Sequence, residues 1–591
     1  MWIRYRITDL LLSIALLAAS GCQQAAVPLP GEAPATTSDR AVDFEEKEIA
    51  TTDPGGNARE EPPQEEFGTP AREDIRFARV AEKLMVSHTF QTGATGRLIM
   101  VESLGGGLGW LDLDGDGRLD LYCVQGGDPT SRDHLASPPD SVFRQTASGK
   151  MQLLPNSVGI DNSGYGQGLT IGDFDNDGFD DVYVTNVGRN RLFHNQGDGT
   201  FRSEDSTATT ESEIWSSSAA WADVDLDGDL DLYVCNYLQY DPFDPFLCEK
   251  DGAPALCHPH QLEPLPDDFF ENQGDGTFVS NAKQRGLVGN GNKALAVVVS
   301  DLSGDGWPDI YVANDTTSNF YFTNRQDGTF RESSLELGGG LNAAGAMQAS
   351  MGIAAGDYDR SGSTDLLLTH FTGESNTLYQ NLQEIGLFDQ SGRTGLFAVS
   401  MSKLGFGAVM ADFDCNGNMD LLVANGHIDS ANADGDGFMQ CAQALTFDGR
   451  RWADVSETAS EYFSEKHVGR AIAMGDYDGD GDVDLAIAHQ NEPMEILENV
   501  SRLGRWLKVV PVAGTSNRSQ IGVSGIVEVG GQEWYSCICG GTSYCASHEH
   551  ALFFGVGETD QDATVTIQWP GGKSTIVRDV KLNQILTIRE P

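Results

Sequence analysis

From about residue 75 to residue 500 the chain alternates short apolar runs with Gly-, Asp- and Asn-rich breaks. Leu119 to Val124, Val182 to Thr185, Leu232 to Cys235, Ile310 to Ala313 and Leu421 to Ala424 are rich in β-branched and aromatic residues, too short for helices and bounded by turn formers. That pattern predicts strands. Further runs follow at Leu192 to Asn195, Phe269 to Asn272 and Tyr321 to Asn324, each leading through an Asp-Gly pair (Asp198-Gly199, Asp275-Gly276, Asp327-Gly328) that predicts a hairpin turn. One unit therefore reads as strand, acidic loop, strand, crossing loop, strand, Asp-Gly turn, strand. The last unit stops at its third strand, Glu495 to Asn499, and Ile75 to Val80 is the candidate for the missing fourth.

The acidic loop is the part that repeats most closely. Its oxygen-bearing positions are Asp112, Asp114, Asp116 and Asp120 in the first copy, Asp173, Asp175, Asp177 and Asp181 in the second, and Asp223, Asp225, Asp227 and Asp231 in the third. They continue as Asp301, Ser303, Asp305 and Asp309, then Asp357, Asp359, Ser361 and Asp365, then Asp412, Asp414, Asn416 and Asp420, and end with Asp476, Asp478, Asp480 and Asp484. Successive copies start 61, 50, 78, 56, 55 and 64 residues apart, a spacing that suits four-stranded blades with variable loops. Oxygens at positions 1, 3, 5 and 9 converge on a hard cation such as Ca²⁺, and glycine at position 6 permits the sharp turn. An EF-hand would need Glu at position 12 and flanking helices; the first copy has Cys123 there, inside a strand-like run. The pattern predicts an all-β, seven-bladed β-propeller over 73–500 that holds up to seven calcium ions in its A–B loops. Copies with four carboxylates are expected to bind calcium more tightly than those carrying Ser303, Ser361 or Asn416.

These repeats resemble the FG-GAP/VCBS family, the calcium-bearing propeller repeats of integrin α-subunits, and Phe406-Gly407-Ala408 resembles the stretch that names it. After Val500 the acidic loops stop. Asn517 to Gly522, Ser543-Tyr544, Phe554 to Gly557, Val565 to Lys573 and Asn583 to Ile588 resemble, in order and spacing, the ASPIC/UnbV domain, which implies a small β-rich domain over 501–591. Val565, Ile567 and Trp569 alternate with Thr566 and Gln568, the pattern of a half-buried strand.

With 38 Lys+Arg against 88 Asp+Glu the formal charge is −50, which argues against a nucleic-acid partner. Arg4 and Arg6, the apolar run Leu10 to Ala18 and Ala19-Ser20-Gly21-Cys22 form an export signal (1–22) that looks like a bacterial lipobox. Lipidated Cys22 would then be the only membrane attachment, and Gln23 favours the outer membrane or cell surface. Residues 23–72, rich in Pro, Glu, Thr and Ala, read as a flexible linker.

Export permits disulfides, with Cys248 and Cys257 the best pair, Cys415 with Cys441 a second candidate, and Cys123 and Cys235 read as buried thiols. Cys537, Cys539, Cys545, His548 and His550 form either a soft-metal cluster or a disulfide of Cys545 with one of the other two cysteines. No catalytic motif is present, so the sequence supports no enzyme claim. It supports a monomeric, surface-anchored propeller that binds or adheres to a protein or glycan; the alternative is a polysaccharide-active enzyme or lectin using a propeller face as a carbohydrate cleft. Its longest crossing loops, 237–268 and 426–441, lie at the strand ends opposite the acidic loops. The first carries Tyr237, Tyr240, Phe243, Phe246, His258 and His260, and is either a binding element or a lid on its own blade.

Overall fold

The computed structural model describes residues 75–591 except 132–137, 156–157, 205–206, 211–212, 290, 292, 431–432, 434, 503 and 515–516. The export signal, Cys22 and the linker lie outside the described residues. None of the described helices is long and apolar enough to cross a membrane.

The described chain is all-β, with propeller-like sheets. Seven innermost strands, Leu108–Leu111, Tyr165–Gly172, Glu213–Ala222, Ala294–Ser300, Ile353–Gly356, Gly405–Ala411 and Gly469–Gly475, each pair antiparallel with the strand that follows. In all seven cases that second strand begins on the ninth residue of the acidic loop: Asp120, Asp181, Asp231, Asp309, Asp365, Asp420 and Asp484. The loop is thus the A–B connection, as the sequence pattern requires. Third and fourth strands complete each unit, joined by hairpins such as the one closed by Gln196 N–H on the Thr200 carbonyl. The sheets of the second and third units fuse at one edge, where Glu213 to Trp215 pair with Val187 to Arg189.

The seventh unit takes its fourth strand from the start of the described chain. Phe77–Arg79 pairs antiparallel with Glu495–Asn499, with Phe77 opposite Asn499 and Arg79 opposite Leu497. Apolar cores lie between consecutive sheets. One joins Leu113, Val124 and Ile171 of the first two units; another joins Trp110 and Leu121 of the first to Ala473 and Ile496 of the last. Burial between neighbours, rather than within a single sheet, is what a repeat of this kind uses as its core.

The C-terminal part has two sheets. Arg505–Val512 lies between Leu552–Gly557 (antiparallel) and Gln584–Arg589 (parallel). Gln532–Cys537, Ser524–Val529, Ala563–Gln568 and Ser574–Val580 form the other. Val565, Ile567 and Trp569 all point inward, at 0%, 0% and 2% exposure, as their alternation predicts. Their core is continuous with that of the second and third units through Phe174, Trp221 and Phe278.

Candidate functional site

The seven acidic loops share one hydrogen-bond scheme. At position 6 each has glycine at positive φ, from +79° at Gly362 to +102° at Gly178, a conformation that disfavours side chains. This turn lets the glycine N–H donate to one oxygen of the position 1 carboxylate, as Gly117 does to Asp112 at 2.8 Å and Gly228 to Asp223 at 3.0 Å. The position 9 carboxylate accepts from the position 2 N–H, as Asp120 does from Leu113 at 3.0 Å, and, in every loop but the sixth, from the third strand, as Asp181 does from Asn195 N–H at 2.7 Å. Backbone donors thus fix positions 1 and 9.

Side-chain amides tie each loop to its neighbour. Asn195, Asn272, Asn324 and Asn381 donate to the carbonyls of Leu113, Phe174, Val224 and Leu302, the second residue of the preceding loop. Asn499 reaches Phe413 in the same way, and Gln145 of the first unit reaches Tyr477 of the last at 2.8 Å. The sixth unit departs from this rule. Phe447 stands in place of the amide and packs edge-on against Tyr358, with ring centroids 5.4 Å apart.

Carboxylate oxygens gather within 4.8 Å of one another in Asp112/Asp114/Asp120, Asp173/Asp175/Asp181 and Asp223/Asp225/Asp227. Burial, reinforced by neighbouring carboxylates, pushes Asp120, Asp223 and Asp309 up to about 7, Asp173 and Asp357 to about 6 and Asp365 to about 9. Burial likewise holds Asp181, Asp231, Asp412, Asp420 and Asp484 well above the usual carboxylate range. Asp114 Oδ1, Ser303 Oγ, Asp420 Oδ1 and Asp482 Oδ1 are buried with no hydrogen-bond partner. Clusters of hard oxygens with orphaned lone pairs fit a cation, which would also reverse the cost of charging them. Such acidic clusters can bind metal ions. Some loops have a competing protein cation: Arg144 pairs with Asp114, Arg285 lies 3.2 Å from Asp225, and Lys508 lies 2.9 Å from Asp476.

Lys508 belongs to the C-terminal part, which caps this end of the strands. Arg518 N–H donates to Asn176, Asp173 N–H to Ser519, Trp534 Nε1 to the Gly417 carbonyl and Gly504 N–H to the Asp414 carbonyl. From this cap, residues 538–549 run down among the innermost strands. Gly540 exchanges two backbone hydrogen bonds with Val299, and Ser543 two with Ile353. Cys545 N–H donates to Ser218 Oγ, Ala546–Ser547 pairs parallel with Leu108–Gly109, and Glu549 N–H donates to the Met474 carbonyl. Tyr544, fully buried, packs edge-on against Phe406 at 5.0 Å and accepts the Gly105 N–H at 3.2 Å. A Cβ on Gly168 of the second unit would lie 2.9 Å from the Cys545 Cβ. The segment therefore meets all seven innermost strands or the residues that lead into them.

The crossing-loop end is different. Cys248 and Cys257 form a disulfide, as expected from the sequence. Tyr237 is buried and Tyr240 half-buried, both packed on Trp215 at 5.0 and 5.9 Å, so these two serve as a lid. Phe246 remains exposed. A cleft of about 440 Å³ opens here between Met100, Cys257, His258, Asp315, Phe371 and Glu374. Asp315 accepts from the Tyr237 hydroxyl, and burial raises it to about 6.

Other cysteine expectations need correcting. Cys415 and Cys441 are unpaired: the first lies in an A–B loop, the second in the short strand Gln440–Cys441, which pairs with Lys466–His467 in a separate two-stranded sheet. Cys545 is unpaired as well; its thiol lies against Ser218 Oγ, away from the Cys537–Cys539 pair. Sequence reasoning also missed Lys508, Glu549 and the axial segment. The signal was present: Trp534 to Ser547 contains no charged residue in a strongly acidic chain.

With this geometry in hand, comparison with known proteins gives the class: the chain carries FG-GAP-like repeats, matched over 112–184, 173–234 and 301–368, followed by an ASPIC and UnbV domain matched over 513–591. It is similar to cartilage acidic protein 1 of Xenopus tropicalis (24% identity, 73% of this chain and 65% of that protein) and of Homo sapiens (23%, 73% and 64%). The matches thus span less than two thirds of those relatives' length. Among solved structures, an Agrocybe aegerita lectin for non-reducing terminal N-acetylglucosamine aligns at 13% identity, 62% of this chain and 88% of that one, with a TM-score of 0.36.

The oxygen count makes a ranking testable. In a calcium titration Asp225→Ala is expected to lose more affinity at its loop than Ser303→Ala does, because it removes a charge as well as an oxygen. Equal losses would show that loop charge does not set affinity.

Proposed function

We propose that the seven repeats close a seven-bladed propeller, loaded with up to seven Ca²⁺ and exported to the cell surface, that binds a protein or glycan ligand at its crossing-loop end. One observation carries this reading. The C-terminal domain bonds to the acidic-loop end and residues 538–549 fill the axis, whereas the braced loop 237–268 stands over a cleft of about 440 Å³ that combines apolar and polar lining. Sites of this kind combine an apolar wall with a few placed polar groups; here Phe371 supplies apolar surface, and Asp315, Glu374 and His258 the polar groups. Calcium then has a structural task, holding the loops that fix each blade to the next, and Asp112, Asp114, Asp116, Asp120 and their counterparts are its ligands.

The lipobox and the Cys248–Cys257 disulfide both suit an exported protein. Replacing 241–262 with a short Gly-Ser link is expected to abolish binding to cell envelopes and glycan arrays while leaving calcium-dependent melting unchanged. Binding that survives in the folded variant would move the site elsewhere, and turnover of a polysaccharide would make the protein an enzyme.

A further inference from the structure

Where the strand Gln532–Cys537 turns into the axis, the propeller-like sheets and the C-terminal part enclose a chamber of about 110 Å³. That is space for an ion, a few waters or a very small molecule, and Cys537 and Cys539 within it are partly exposed. Its lining concentrates soft donors. Cys415, Cys537 and Cys539 contribute thiols, and His548 and His550 imidazoles. Met410, Met419 and Met474 add thioethers, so six of the chain's ten cysteines and twelve methionines meet at one small cavity.

Cys537 and Cys539 are two residues apart on extended backbone, which puts both side chains on one face. Their sulfurs lie 3.1 Å apart, inside the usual contact distance of two unbonded sulfurs. Ser300 and Thr364 hydroxyls lie 3.9 and 3.3 Å from the Cys537 sulfur, on the side of the sheets. The two histidines are not equivalent. His548 Nδ1 accepts the Met474 N–H at 3.2 Å, so its neutral ring carries its proton on Nε2 and has no lone pair to offer. His550 is the imidazole left for coordination.

We propose that Cys537 and Cys539, in a chamber also lined by His550, form a binding site for a soft monovalent metal ion, Cu(I). Thiolates and thioethers select Cu(I) over hard cations, and calcium avoids sulfur, so the site is chemically separate from the acidic loops. Thioethers are not zinc ligands, which sets the methionine-rich wall against a structural zinc site. On binding, each thiol releases its proton to solvent as its sulfur bonds the ion, with no change in oxidation state.

The test uses the full chain, reduced and anaerobic, in excess Ca²⁺, titrated with Cu(I) held by bicinchoninate. One equivalent of copper is expected to leave the indicator, and bound copper to protect Cys537 and Cys539 from iodoacetamide in the unaltered chain, as read by mass spectrometry. C537S and C539S should each weaken binding by more than the ~10–100-fold lost with a supporting outer ligand, and C441S should leave it unchanged. The alkylation readout needs no variant, so misfolding of a variant cannot hide the answer. Copper left on the indicator, alkylation unaffected by copper, unchanged affinity in C537S, or preference for Zn²⁺ over Cu(I) would each overturn the proposal.

Discussion

Chelating calcium is expected to lower the melting temperature by on the order of 15 °C, and adding calcium back to restore it. The estimate follows from mass action: an ion that binds only the folded chain at about a hundredfold excess over its Kd contributes ~2.7 kcal/mol. Six such loops give roughly 16 kcal/mol, and an unfolding entropy of ~2.1 cal/mol/K per residue converts this to about 1 °C per kcal/mol for a chain of this size. The seventh loop counts for less, since Lys508 already neutralises Asp476 at 2.9 Å. An unchanged melting curve, with no calcium by elemental analysis, would remove the metal from the account.

The pH dependence carries a sign that only metal binding reverses. Burial holds Asp120, Asp223 and Asp309 near 7 and Asp365 near 9, against about 3.9 when unfolded. A group whose folded pKa is raised contributes stability that is complete below its unfolded pKa and lost as pH rises through the folded value. In chelator the melting temperature should therefore fall between pH 5 and 8. Calcium needs these carboxylates deprotonated, so with the metal present the slope should be upward over the same range. Parallel slopes with and without calcium would mean that the ion does not sit on these residues.

What the sequence disclosed was whatever repeats or alternates. Seven acidic loops, the strand starts at their ninth positions and the clasp from Ile75 to Val80 were legible because each is a local pattern with one physical meaning. The disulfide was legible because Cys248 and Cys257 lie nine positions apart on either side of a short loop. Contacts between distant segments were not. Nothing local says that Lys508 will meet Asp476, that Phe447 replaces an amide at the sixth joint, or that Cys415 joins Cys537 and Cys539 while Cys545 is carried past them. Those follow from the way the C-terminal domain docks, and docking is encoded only in the complementarity of two surfaces.

The axial segment gives the second large effect. Tyr544→Ala is expected to cost about 3–5 kcal/mol, the range for truncating a fully buried aromatic side chain. The ring packs on Phe406, and Gly105 N–H has the Tyr544 hydroxyl as its acceptor. Tyr544→Phe keeps the ring and loses the acceptor, so it should cost ~1–3 kcal/mol, the penalty for a buried donor left unsatisfied. Because residues 538–549 bond to strands of several repeats at once, the unaltered chain should unfold in urea in one transition. Far-ultraviolet dichroism and the fluorescence of Trp534 and Trp569 should then share a midpoint. Tyr544→Ala should lower that midpoint and separate the two signals, with the C-terminal tryptophans reporting release of the cap first. A change below about 0.5 kcal/mol, the usual range for surface substitutions, would mean that the segment does not hold the axis. If the segment does hold it, no ligand reaches the crossing-loop cleft through the axis, and the cleft must be entered from its open end.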